Sequence, residues 1–189
     1  RRVFVPLEAI PQRVQQAFVS AEDQRFWEHQ GVDPIGVGRA VVTALEQYGS
    51  GRRMSGASTI TQQVAKNMLV GADRTMTRKV REAILALRIE QALPKERILE
   101  LYLNEIFLGA QAYGVAAAAQ AYFNKALDEL TLAEAAFLGA LPKAPNNYNP
   151  VRFPEAAKAR RDWVIDRMAE DGAITAAEAA AARAEPLVP

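Results

Sequence analysis

An all-α fold is what this sequence predicts. Apolar residues recur at helical spacing along nearly the whole chain, alanine is abundant where aromatic residues make up only 7%, and no stretch sustains the alternation of a β-strand. A chain of 189 residues is long enough to bury a core of its own and suits one compact domain.

The elements follow in order. Pro11 suits a first helical turn, and Val14, Ala17, Phe18 and Ala21 carry that helix to about Phe26. An apolar stretch from Ile35 to Tyr48 comes next, broken by Gly36 and Gly38, and Gly49-Ser50-Gly51-Arg52-Arg53 reads as a loop. Thr59 and Gln62 have capping-box spacing, so a helix starts near Thr59 and runs to about Leu69. Helices near Met76–Leu93 and Lys95–Phe107 are punctuated by Pro94, and alanine-rich helices near Val115–Tyr122 and Thr131–Leu141 follow. Pro142, Pro145 and Pro150 mark an irregular stretch before two last helices, about Pro154–Glu170 and Thr175–Ala182. No internal repeat is evident.

Charge and composition narrow the function. The formal net charge is +1, yet between Arg52 and Arg81 seven basic residues face one acid, Asp73. Such a local excess points to an anionic partner: a phosphate, a nucleic acid or a lipid headgroup. The absence of cysteine excludes disulfides and thiolate metal sites. No run of about 18 apolar residues is present to span a membrane. Arg1-Arg2 at one end and Pro186-Leu187-Val188-Pro189 at the other read as the cut ends of a piece of a longer protein.

Several standard sites are missing from the sequence: the GxxxxGK[ST] phosphate loop, GxGxxG, HExxH and SxxK. His29 is the only histidine, and a single histidine is more often a hydrogen-bonded structural residue than a ligand. Carboxylates, amides and cations must therefore carry any catalysis. Glu22 and Asp23 lie near the end of an apolar helix, before Phe26 and Trp27. A carboxylate there is partly desolvated, which raises its pKa toward general-base use. In SGASTITQQVAKN, Ser58, Thr59, Gln63, Lys66 and their neighbours put hydroxyls, amides and free backbone N–H groups at a helix start, a natural site for anions and sugars. Arg78 and Lys79 stand four and three residues before Glu82. That spacing makes either surface ion pairs or a carboxylate held among cations that grip a diphosphate. Sugar transfer from a pyrophosphate fits one carboxylate base plus a basic cluster, because a neutralised diphosphate leaves without acid help. Glycoside hydrolysis would instead need a proton donor, usually within a carboxylate pair.

These residues resemble the peptidoglycan glycosyltransferase (family 51) domain of class A penicillin-binding proteins. Five blocks match in order: Glu22-Asp23-x-x-Phe26-x-x-His29-x-Gly31; Gly56-Ala57-Ser58-Thr59-Ile60-Thr61-Gln62-Gln63; Arg78-Lys79-x-x-Glu82; Tyr102-Leu103-Asn104-x-Ile106 with Gly109 and Gly114; and Glu134-Ala135-Ala136 leading to Leu141-Pro142-Lys143-Ala144-Pro145. The similarity runs through essentially the whole chain. One departure is Gly56-Ala57, where the family usually has Gly-Gly.

The resemblance implies a lysozyme-like, mainly helical head lobe with a smaller membrane-associating jaw at about residues 33–56. It implies polymerisation of lipid II with inversion at the donor anomeric carbon and release of undecaprenyl pyrophosphate. By matching position, Glu22 is implied as the base and Glu82 as the second essential carboxylate, supporting the donor pyrophosphate. Arg78 and Lys79 would contact that diphosphate, with Lys66 and Arg74 nearby, while Ser58, Thr59 and Gln63 line the sugar-phosphate cleft. Asp23 would either tune Glu22 or assist a divalent cation, Mg or Mn, which enzymes of this family often use. Tyr102-Leu103-Asn104 would shape the cleft wall. The implied partners are lipid II, the growing glycan strand, the membrane surface, a moenomycin-type inhibitor and other cell-wall synthesis proteins, and not nucleic acid. The implied location is the outer face of the bacterial cytoplasmic membrane. A lytic transglycosylase or muramidase, and a basic helical module for nucleic acid or membrane, are the competing readings.

Overall fold

The computed structural model describes residues 3–46, 58–69 and 76–189. Nine α-helices run through them in the order α1 (Gln12–Glu22), α2 (Pro34–Glu46), α3 (Ile60–Met68), α4 (Met76–Ala92), α5 (Lys95–Glu105), α6 (Val115–Phe123), α7 (Leu132–Ala140), α8 (Pro154–Glu170) and α9 (Ala176–Ala184). Single 3-10 turns at Leu7–Ala9, Leu127–Glu129 and Pro145–Tyr148 join them. Among the described residues there is no strand, only an isolated bridge between Phe107 and Tyr113, so the all-α expectation holds. Contacts divide the chain into two compact units: Arg1–Gln24 with Leu99–Pro189, and Arg25–Ile98.

In the first unit α7 is the central element. Seven of its nine residues are buried, from Ala133 through Ala135–Ala140, because alanine and glycine let neighbouring helices approach on several sides. Gly139 makes the closest approach: a Cβ there would stand 2.9 Å from the carbonyl oxygen of Ala17 on α1. Ala17, Ala21, Ala136, Ala140, Val164, Ile165 and Met168 form one cluster from α1, α7 and α8. Thr131 caps α7 by accepting from the Glu134 N–H while Glu134 accepts from the Thr131 N–H. The amino-terminal segment is clasped by α5. Asn104 accepts from the Val5 N–H at 2.7 Å and donates to the Val5 carbonyl at 2.9 Å, and Glu100 accepts from the Leu7 N–H. Close backbone approach also explains Gly114, whose φ is +88° and whose Cβ would meet the Asn104 carbonyl at 2.5 Å.

The second unit is built on α3 against α4. Gly31, at φ +111°, lies so close to the Ala86 carbonyl that a Cβ would fall 2.8 Å from it. This contact docks the loop after α1 on α4.

Two boundaries differ from expectation. Helix α1 ends at Glu22 rather than near Phe26, because Asp23 leaves helical dihedrals at φ −161°, ψ 75°. The Ile35–Tyr48 stretch is not broken by its glycines: α2 runs through Gly36 and Gly38 as one helix. Asp33 secures its first turn, accepting from the Ile35 N–H with its side chain and from the Val37 N–H with its carbonyl. A Cβ at Gly36 would stand 2.9 Å from that carboxylate, so glycine makes room for the bonds that offset its low helix propensity of about 1 kcal/mol.

Candidate active site

Glu22 is the last residue of α1, in the first unit. Its Oε1 atom is buried and has no hydrogen-bond partner. Burial pushes the carboxyl above its ordinary value of 4.5, opposed by the positive charges of Arg160 and Lys143 and reinforced by Asp23. Asp23 is itself buried. Tyr102 on α5 belongs to the same polar cluster. Its hydroxyl is buried without a partner, and burial together with the negative charges of Glu22 and Asp23 pushes its pKa well above 10. Tyr102 therefore stays a neutral phenol, and its ring is packed edge-on against Phe18 of α1 at 6.1 Å.

Arg160 on α8 was not anticipated as a site residue, nor was Lys143 given a role. Yet both carry positive charge toward Glu22. The Arg160 guanidinium lies over the Trp163 ring at 3.9 Å, and Arg167 lies over the same ring at 4.9 Å while donating to the Ser20 carbonyl of α1. The signal available in the sequence was Arg160-Arg161 with a tryptophan at the third position after Arg160, in a helix otherwise rich in alanine.

The remaining expected residues lie in the second unit. Glu82 on α4 is buried, with Arg78 Nε at 3.6 Å and Lys79 Nζ at 3.8 Å. Glu82 is therefore not part of a surface ion pair: it is inside, while Lys79 stays mostly in solvent. Arg78 also donates to the carbonyls of Leu69 at 3.1 Å and Lys66 at 3.4 Å, which ties α4 to the carboxyl end of α3.

At the opposite end of α3, Thr59 and Gln62 form the expected capping box. The Thr59 hydroxyl additionally donates to the Gly31 carbonyl at 2.6 Å and is buried, so it is committed within the fold. Ser58 and Gln63 are half-buried and Lys66 is exposed. Arg74, the Gly56-Ala57 pair and Arg52-Arg53 lie outside the described residues, as does the latter part of the expected jaw at 47–56.

His29 is buried in a structural network rather than among the cations of Arg78 and Lys79. Its Nδ1 accepts from the Gly31 N–H at 3.0 Å and faces Lys95 Nζ at 3.3 Å. Lys95 in turn donates to Glu90 at 2.6 Å and lies over the Phe26 ring at 4.4 Å. Among the described residues, no group of three or more His, Asp or Glu side chains gathers that could hold a metal ion by itself.

The first unit thus holds a carboxylate whose pKa burial raises, and the second holds a buried carboxylate flanked by cations. The transglycosylase family model matches residues 1–169, and the chain belongs to that family. Among its relatives is penicillin-binding protein 1A of Rickettsia felis, 54% identical over 188 residues, covering 100% of this chain and 24% of the relative. Penicillin-binding protein 1A of Escherichia coli K12 is 53% identical over 175 residues, covering 93% of this chain and 20% of the relative. Among solved structures, penicillin-binding protein 1A from Haemophilus influenzae is 32% identical with a TM-score of 0.61, covering 100% of this chain and 18% of that one. The chain thus spans about a quarter or less of the length of these relatives.

Proposed function

We propose that this transglycosylase domain polymerises lipid II, a disaccharide-pentapeptide on undecaprenyl pyrophosphate, into glycan strands during cell-wall synthesis. The observation that carries the reading is the Glu22 carboxylate: buried, partnerless at Oε1, and raised above its ordinary pKa. A carboxylate so raised is a stronger proton acceptor than an exposed one. Glu22 takes the proton from the 4-hydroxyl of the acceptor sugar as that oxygen bonds to the donor anomeric carbon. The bond from that carbon to the pyrophosphate breaks on the opposite face, so configuration inverts and undecaprenyl pyrophosphate departs. Glu82 with Arg78 and Lys79 serves the donor diphosphate, with Arg74, Lys66, Ser58, Thr59, Gln63 and Asp23 completing the substrate site.

Work at the outer surface of the cytoplasmic membrane belongs to the same proposal. Supporting it, α2 leaves Ile35, Val37, Val41, Val42 and Leu45 exposed, an apolar stripe within the proposed jaw at about 33–56. No described helix is long and apolar enough to cross a membrane. Moenomycin-type inhibition and association with other cell-wall synthesis proteins are part of this reading.

Glu22→Gln is expected to abolish glycan formation from labelled lipid II while helical content is retained and the melting temperature does not fall. Glycan synthesis by that variant would sink the assignment. Running the gel assay with Mg, Mn and a chelator measures the cation dependence, and release of soluble muropeptides from sacculi would favour a cleaving enzyme instead.

A further inference from the structure

Adjacent arginines on α8 have opposite fates. Arg161 is fully buried and fully used: it donates to Asp162 at 2.9 and 3.1 Å, to the Glu185 carbonyl at 2.7 Å and to the Arg183 carbonyl at 3.1 Å. Arg160 makes no such set. Its Nε is buried with no hydrogen-bond partner, as are Glu22 Oε1 and the Tyr102 hydroxyl, and these are the three such side-chain atoms among the described residues. Leaving a buried donor of a cation unsatisfied is destabilising, and a fold that retains it together with an unsatisfied carboxylate oxygen keeps it for a reason other than stability.

The packing keeps Arg160 where it is. Arg160, Trp163 and Arg167 recur at i, i+3 and i+7, so they share one face of α8. Trp163 carries both guanidinium groups on its ring. Arg167 reaches the Ser20 carbonyl, two residues before Glu22. The face of α8 that bears Arg160 is therefore fastened to the end of α1 that bears the carboxylate.

We propose that Arg160, stacked on Trp163, is a positioning residue for Glu22: a fixed cation that holds the carboxylate anionic and oriented as a proton acceptor, with Tyr102 as its neutral hydroxyl neighbour. This rests on the reading of Glu22 as the base. The charged and titratable groups facing Glu22 are Arg160 from α8, Lys143 after α7, Asp23 at the end of α1 and Tyr102 from α5. Arg160 itself is pulled down by burial and by Arg167, and supported by Glu22 and Tyr148. Removing the Arg160 charge takes away the stronger of the two positive charges that offset burial of the carboxylate, so Glu22 titrates at higher pH.

The test compares Arg160→Gln, Arg160→Lys, Trp163→Leu and Glu22→Gln in the full-length protein, with kcat and KM for lipid II measured across the pH range. Arg160→Gln is expected to lower kcat about a hundredfold with KM within about twofold, and to move the acid limb of the kcat profile to higher pH. Arg160→Lys restores about tenfold of that loss and returns the limb toward wild type. Trp163→Leu, which frees the guanidinium, shifts the limb in the direction of Arg160→Gln by less, and carries the test should Arg160→Gln not fold. An unmoved limb in Arg160→Gln or in Trp163→Leu overturns the proposal, as does equal loss in the Gln and Lys variants. Polymerisation by Glu22→Gln fells the base assignment and this inference together. An inactive Glu22→Gln with an unaffected Arg160→Gln fells only the inference.

Discussion

Lys95 donates to Glu90 at 2.6 Å, and that carboxylate, almost wholly out of solvent, also accepts from Thr61 at 2.9 Å. The pair therefore joins the start of α5, the end of α4 and the first turn of α3, with His29 held alongside.

Breaking that pair from one side strands a buried charge. Lys95→Met is expected to destabilise the protein by about 3 kcal/mol, since the remaining buried carboxylate loses its lysine counter-ion. In the double variant Lys95→Met/Glu90→Gln the uncompensated charge is gone, and at least about 1 kcal/mol should return. Chemical denaturation of the four proteins of this cycle measures the coupling. Equal stability of Lys95→Met and wild type would show that the pair carries no net charge coupling.

Glu22 should leave a mark on stability as well as on rate. Its folded pKa lies above the unfolded value, so between the two values the folded state binds more protons and stability falls as pH rises. Glutamine has no such titration. Glu22→Gln is therefore expected to match wild type well below pH 4.5 and to become progressively more stable than wild type as pH rises through the raised pKa. Melting curves at acid and neutral pH decide it: a gap that does not widen with pH contradicts the desolvated carboxylate.

Arg161 tests a purely structural role beside its neighbour. Arg161→Met removes the donors to the Glu185 and Arg183 carbonyls at the end of α9, and about 3 kcal/mol of stability should go with them. For a chain of this size that corresponds to a melting point lower by roughly 10 °C. Limited proteolysis is expected to cut near Glu185 in the variant first. At a temperature where the variant is folded its kcat should equal wild type, in contrast to Arg160.

Much of this architecture was legible because it is local. Helix α8 begins at Pro154 and ends at Glu170 as expected, and the capping box at Thr59 and Gln62 announced α3, since both depend on residues within a turn of one another. The end of α1 was not legible in the same way. Phe26 continues an apolar pattern, but it is buried beside His29 and Lys95, partners remote in sequence or in a different turn, and tertiary burial overrode helical continuity. For the site, Glu22 and Glu82 stood out as carboxylates in unusual company. Arg160 did not, because its significance lies in a Trp163 stack and in an atom left without a partner, and neither has a sequence signature. The Asn104 side chain bonds the Val5 backbone, a partner remote in sequence that no local pattern announces.

Gly139 deserves a different kind of reading. Because α1 rests on a position that has no side chain, the coordinates of the carboxylate five residues beyond Ala17 are set by an absence. A mutational survey confined to polar and charged residues would recover the reagents of this domain and overlook the spacer that sets their alignment. One added methyl group there would register in a screen as a defective enzyme, although every reacting group remained in the chain.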